Sequence, residues 1–216
     1  MSNALAIASV TAVLKDLLDN GVVDNSLSST VGEVTVSVLP PDRIELDPEK
    51  GRSQLNLYLY QVSPNPGWRN VGLPSHNDRG ERVSNPPLAL DLHYLLTAYG
   101  THDCHAEILL GYGMQLLHET PVLSRELIRT ALAPTASLPV TTGLPANLQA
   151  LTNSDLAEQV EQIKITPETL STEELAKLWT VFQAKYRPTA AYVVSVVLIE
   201  SQRPTRSALP VRARKL

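Results

Sequence analysis

The chain has 216 residues, 43% of them apolar and 19% charged, which suits one domain with a sizeable core and excludes wholesale disorder. A single cysteine, Cys104, excludes an intrachain disulfide and a cysteine zinc cage. The net charge of -4 is uneven: Arg203, Arg206, Arg212, Arg214 and Lys215 stand without an acid in the last fourteen residues, leaving -9 on residues 1–202. An acidic body with a basic tail lacks the basic face of a nucleic-acid binder. It suits a tail that meets an acidic partner, or an ordinary solvated terminus.

No run reaches the roughly 18 continuous apolar residues of a membrane helix. The opening MSNALAIASVTAVLKDLLDNG has no basic leader and is a poor signal peptide. A chain made and folded in the cytoplasm is expected. Residues 4–20 read as a helix with an apolar stripe of Leu5, Ala8, Ala12 and Leu14 to Leu18, stopped at Asn20-Gly21. A polar stretch follows. Val34 to Leu39 alternates as a short strand ended by Pro40-Pro41, and Gln54 to Val62 as a stronger one, with leucines on one side and Asn56, Tyr58 and Tyr60 on the other.

Residues 63–86 form a long irregular stretch rich in proline and glycine. Loops beyond about 12–15 residues are usually functional, and Trp68 and Arg69 are residue types favoured as interface anchors. The alternative is a surface loop whose tryptophan folds back on the domain. Leu88 to Tyr99 is the longest strand. At about 3.3 Å per residue it crosses roughly 40 Å, so it must bend or change partners. Residues 103–118 read as a helix, and Ser124 to Leu132 as a shorter one. Proline-rich chain runs to about 146, and a strand is expected around Glu158 to Thr166. Ser171 to Ala184 is a helix opened by a Ser171/Glu174 capping box. Ala190 to Glu200, rich in valine, reads as a central strand covered on both faces. With no strict βαβ rhythm, the pattern implies one sheet flanked by helices.

Little here promises chemistry. His102, Cys104 and His105 cluster, but a zinc site needs three or four ligands and no other cluster joins them. Gly111-Tyr112-Gly113 lies inside a helical pattern, where it serves close approach to the sheet better than phosphate binding. There is no nucleophile elbow, Walker sequence or zinc-protease motif. No catalytic, metal or cofactor-binding residue is assigned, and a structural or binding protein is expected. A small hydrolase using the His102–His105 region is the competing class, and an assembly adaptor or chaperone a third.

Four segments carry a resemblance: LNLYLYQVSPNPGWRN at 55–70, PPLALDLHYLLTAYG at 86–100, AEILLGYGMQLLHETPVLS at 106–124 and LSTEELAKLWTVFQAKYRPTAAYVVSVVLIE at 170–200. In this order they resemble the cap, or tail-terminator, family of contractile injection systems, the phage-tail-like particles of the antifeeding-prophage and virulence-cassette type. The resemblance spans roughly 4–200. Longer family members continue where this chain has only the basic arm 201–216.

The resemblance implies an α/β fold: a single domain, 1–200, with a central mixed, largely antiparallel sheet flanked by helices, plus the extended loop and the C-terminal arm. It implies a structural role without cofactor: a hexameric ring that ends the inner tube and the sheath distal to the baseplate. The implied partners are other copies of the chain, the tube protein and the sheath protein, with neither nucleic acid nor membrane. Assembly would take place in the bacterial cytoplasm. The interface candidates are Trp68 and Arg69 in the loop, and Arg203, Arg206, Arg212, Arg214 and Lys215 in the arm.

Overall fold

The alternating run at residues 88–99 becomes the central strand of the molecule. The structure, a computed structural model, describes residues 2–24, 27–44, 52–68, 85–133 and 146–201. Within them six strands form one sheet: β1 (Val34–Ser37), β2 (Ser53–Pro64), β3 (Leu88–Tyr99), β4 (Val122–Leu123), β5 (Ile163–Glu168) and β6 (Thr189–Ile199). Their order is β1-β2-β3-β6-β5-β4. β1 runs parallel to β2 and every other pair is antiparallel, so the sheet is mixed and largely antiparallel.

β3 runs its expected length without changing partners. It keeps β2 on one side and β6 on the other from end to end. The ladder with β2 slips between Leu59 and Gln61, and the ladder with β6 slips opposite Leu90–Leu92. In both places the extra residue lies on the neighbouring strand, β2 or β6, and a bulge there kinks that strand and increases its twist.

One face of the sheet carries the main core. Leu55 and Leu57 of β2, Leu92, Tyr94 and Leu96 of β3 and Val194 of β6 are all at most 1% exposed. They lie under α1 (Ala6–Asp24), one helical turn α2 (Ser28–Val31) and α3 (His105–Glu119), with α4 (Arg125–Ala131) packed on α1. The Tyr94 hydroxyl is 2.8 Å from Thr11 Oγ1 on α1, and burial raises its pKa. The expected stop at Asn20-Gly21 is wrong, because α1 runs on to Asp24. Gly21 serves close packing instead: a Cβ there would stand 2.2 Å from Leu116 Cδ1 on α3. The stretch after α1, expected to be polar, buries Leu27 and Val31 at 1% exposure each.

Beside the other face stands α5 (Thr172–Val181), which begins with the expected capping box. Ser171 Oγ accepts from the Glu174 N–H, and the Glu174 carboxylate accepts from the Ser171 N–H. An aromatic train docks this region: Tyr58 of β2 meets Phe182 edge-on at 5.5 Å, and Trp179 meets both Phe182 and Tyr186. Burial pushes the Tyr99 phenol up to about 12, although the neighbouring Arg187 opposes this.

The strand expected around Glu158 to Thr166 begins later. Residues 156–158 form a 3-10 turn, and β5 starts at Ile163. Gln159 explains the delay. Its side-chain amide donates to the Val196 carbonyl at 3.0 Å and accepts from the Leu198 N–H at 3.3 Å. One buried side chain thus supplies the pairing that a longer β5 would have given to β6.

Candidate functional site

Two surfaces are the candidates for a functional site. The first is built around the loop that leaves β2. The strand runs to Pro64, and Asn65 then folds the chain back. Its Oδ1 accepts from the Trp68 N–H at 2.9 Å, while its Nδ2 donates to Asp91 at 2.8 Å and to Ser195 at 3.2 Å. Asn-Pro-Gly is strong turn chemistry, because asparagine bonds the backbone ahead of it and proline presets its own φ. The turn lays Trp68, partly buried, over Ala89, Val196 and Leu198, a small apolar cluster separate from the main core.

Beside Trp68 a polar network crosses the sheet. Ser63 Oγ is 2.8 Å from His93 Nε2, and His93 Nδ1 is 3.1 Å from Glu168 Oε2. The Tyr60 hydroxyl donates to the same carboxylate oxygen at 3.0 Å, and desolvation, followed by the Glu168 hydrogen bond and charge, raises its pKa. Tyr60 and Ser63 are three residues apart and would face opposite sides of a regular strand. The bulge at Tyr60 brings both to His93. The Ser63–His93–Glu168 connectivity is that of a serine-histidine-acid relay. It also ties β2, β3 and β5 together across the width of the sheet.

The second surface is an apolar groove of about 520 Å³ along α1. Its walls include Ile7, Ala8, Thr11 and Ala12 of α1, with Leu59 and Leu148 facing them. One end is acidic. Asp16 and Asp19 line it together with Lys15, which pairs with Asp19. Burial, and after it the charge of Asp19, raise the Asp16 carboxyl above its ordinary value, against a hydrogen bond from Asn20 at 3.0 Å.

Of the interface candidates, Trp68 lies on the sheet as described. Arg69 and the arm residues Arg203, Arg206, Arg212, Arg214 and Lys215 lie outside the described residues. His105 opens α3 just after Cys104, which is exposed and has φ 64°. The His102 and His105 rings are 5.0 Å apart. Among the described residues no group of three or more potential ligands is placed to hold a metal ion. No helix there is long and apolar enough to cross a membrane. Reading the sequence missed Asn65, Ser63, His93 and Glu168. Asp91 and His93 on an otherwise apolar strand were the available signal.

A comparison with protein families places this sheet and its flanking helices. The family model of the Pvc16 N-terminal domain matches residues 9–213. The chain belongs to this family. No curated protein matches it. Among solved structures, this chain is similar to the sheath/tube terminator of an extracellular contractile injection system, PVC, in its extended state, at 13% identity and TM-score 0.47 over 90% of this chain. It is also similar to the tube-terminating cap of the anti-feeding prophage, at 14% identity and TM-score 0.49 over 91% of this chain. The chain spans 61% and 59% of the length of those two proteins.

Proposed function

We propose that this chain is a structural terminator of a phage-tail-like contractile injection particle. In this reading six copies close into a ring that ends the inner tube and the sheath distal to the baseplate. The protein acts by contact rather than by chemistry, assembles in the bacterial cytoplasm and touches neither nucleic acid nor membrane. Family membership over residues 9–213 carries the reading. A closed ring needs one heterologous interface per subunit and surfaces complementary to tube and sheath. Residues 1–200 form the ring body. Trp68 and Arg69 supply a loop contact, and the basic residues of 201–216 supply an arm contact.

Particles made without this chain test the proposal. The expected products are tubes and sheaths of uncontrolled length, or few intact particles. Particles of normal length with normally closed ends overturn it.

The Ser63–His93–Glu168 relay favours a second reading, a serine hydrolase. A fluorophosphonate probe separates the two. A terminator leaves Ser63 unlabelled, whereas a hydrolase is labelled there and loses the label in His93→Ala.

A further inference from the structure

The groove along α1 is apolar along its length and acidic at one end. Ala8, which lines it, is exposed, and a concave apolar channel with a few charged groups at one end has the form of a binding site. Asp16, Asp19 and Lys15 together leave one net negative charge at the acidic end. Asp16 is partly withdrawn from water there, so an incoming cation would relieve the cost of its charge.

The chain itself contains a segment of matching chemistry. Leu209 and Val211 are followed by Arg212, Arg214 and Lys215. The spacing fits as well. From Ala8 to Asp16 and Asp19 the helix rises about 12–17 Å at 1.5 Å per residue. From Leu209 to Arg212 and Arg214 an extended segment covers about 10–17 Å at 3.3 Å per residue. Leu209 over Ala8 therefore puts the arginines beside the two acids.

We propose that the groove along α1 receives the basic segment 203–215 of a neighbouring copy. This rests on the ring reading. A head-to-tail contact needs a donor patch and a different acceptor patch on the same chain, and the arm and the groove are such a pair. The Glu200 N–H bonds the Ser2 carbonyl at 3.0 Å just before the segment begins. A fully extended chain as long as 202–216 spans at most about 50 Å. The α1 face from Ala6 to Asp19 is only about 20 Å long, so enough chain remains to cross a subunit boundary. Apolar contacts supply affinity, while the charges fix register.

The test uses the full chain with Cys104→Ser. One preparation carries Ala8→Cys and a second carries Ala208→Cys; they are mixed and oxidised, and a third chain carries both cysteines. The expected result is a disulfide between the two single-cysteine chains, and a ladder of linked copies from the double variant. Adding Asp16→Asn and Asp19→Asn, or 0.5 M salt, should lower the yield at least five-fold. A disulfide formed within one copy overturns the neighbour assignment. So does linkage that ignores both salt and the two aspartates. Rings without any linkage overturn the groove while leaving the terminator reading intact. Neither rings nor linkage, in a chain with unchanged circular dichroism, overturns both. Ala8→Arg, an exposed substitution, gives an independent check: it should abolish ring formation and shift Tm by less than about 2 °C.

Discussion

Gly111 and Gly113 stand two residues apart in α3 and do different work. A Cβ at Gly111 meets nothing within 4 Å. A Cβ at Gly113 would lie 3.0 Å from Leu96 Cδ2 and 3.1 Å from Leu55 Cδ2. Gly111→Ala should therefore raise stability by about 0.5–1 kcal/mol, because only the entropy of a mid-helix glycine is removed. Gly113→Ala should gain less, and Gly113→Val should lose about 1–3 kcal/mol through overpacking. Urea unfolding decides the matter: equal gains at both positions would mean that close approach is not what Gly113 provides. Asp16 gives a pH signature. Its folded pKa is raised, chiefly by burial and then by Asp19, so the folded state holds the proton more tightly than the unfolded one. Its contribution to stability falls as pH rises from the unfolded value of about 4 through the raised folded value. Asp16→Asn should stabilise the free chain at pH 7, and that gain should vanish below about pH 4. A gain independent of pH would mean that charge is not the cause.

Elements were legible where one local signal controlled them. Ser171 and Glu174 name the start of α5, and the helix forms there, with Trp179 as its buried residue; it ends at Val181, short of the expected Ala184. Leu88, Leu90, Leu92, Tyr94 and Leu96 alternate with Ala89, Asp91, His93 and Thr97, and the run becomes β3 at its expected bounds. Where a distant partner decided the outcome, the local signal misled. Asn20-Gly21 looks like a stop, yet Leu116 on another helix needs the space beside that glycine. The start of β5 was misplaced because Gln159 spends its amide on β6, an event no nearby residue announces. Gln159→Ala should cost about 2 kcal/mol or more, since the Val196 carbonyl and the Leu198 N–H would remain buried without that partner. Hydrogen exchange should speed up at Leu198. If exchange and stability are both unchanged, the amide is not what closes this edge.

At the scale of the whole molecule, the residue pattern implied one sheet between helices, and the four-segment resemblance implied its mixed, largely antiparallel order. The candidate surfaces were less legible. Each is assembled from segments far apart in the chain: Tyr60, His93 and Glu168 on one side, Ile7, Leu59 and Leu148 on the other. Trp68 was legible as a residue type, but the sequence left open whether it faces a partner or the domain. It packs on Ala89, Val196 and Leu198, apart from the main core, and remains only partly buried. A partly buried tryptophan on a satellite cluster is held by its own domain on one side and available to a neighbour on the other. Trp68→Ala should therefore cost about 2 kcal/mol, less than loss of a fully buried aromatic, and leave the circular dichroism spectrum of the free chain unchanged. Assembly should suffer more than folding: ring formation, followed by light scattering, should require at least ten-fold more protein, while Trp68→Phe should restore most of it. An unfolded Trp68→Ala chain would make the residue purely core. A folded one that assembles at the normal concentration would remove the loop from the interface altogether.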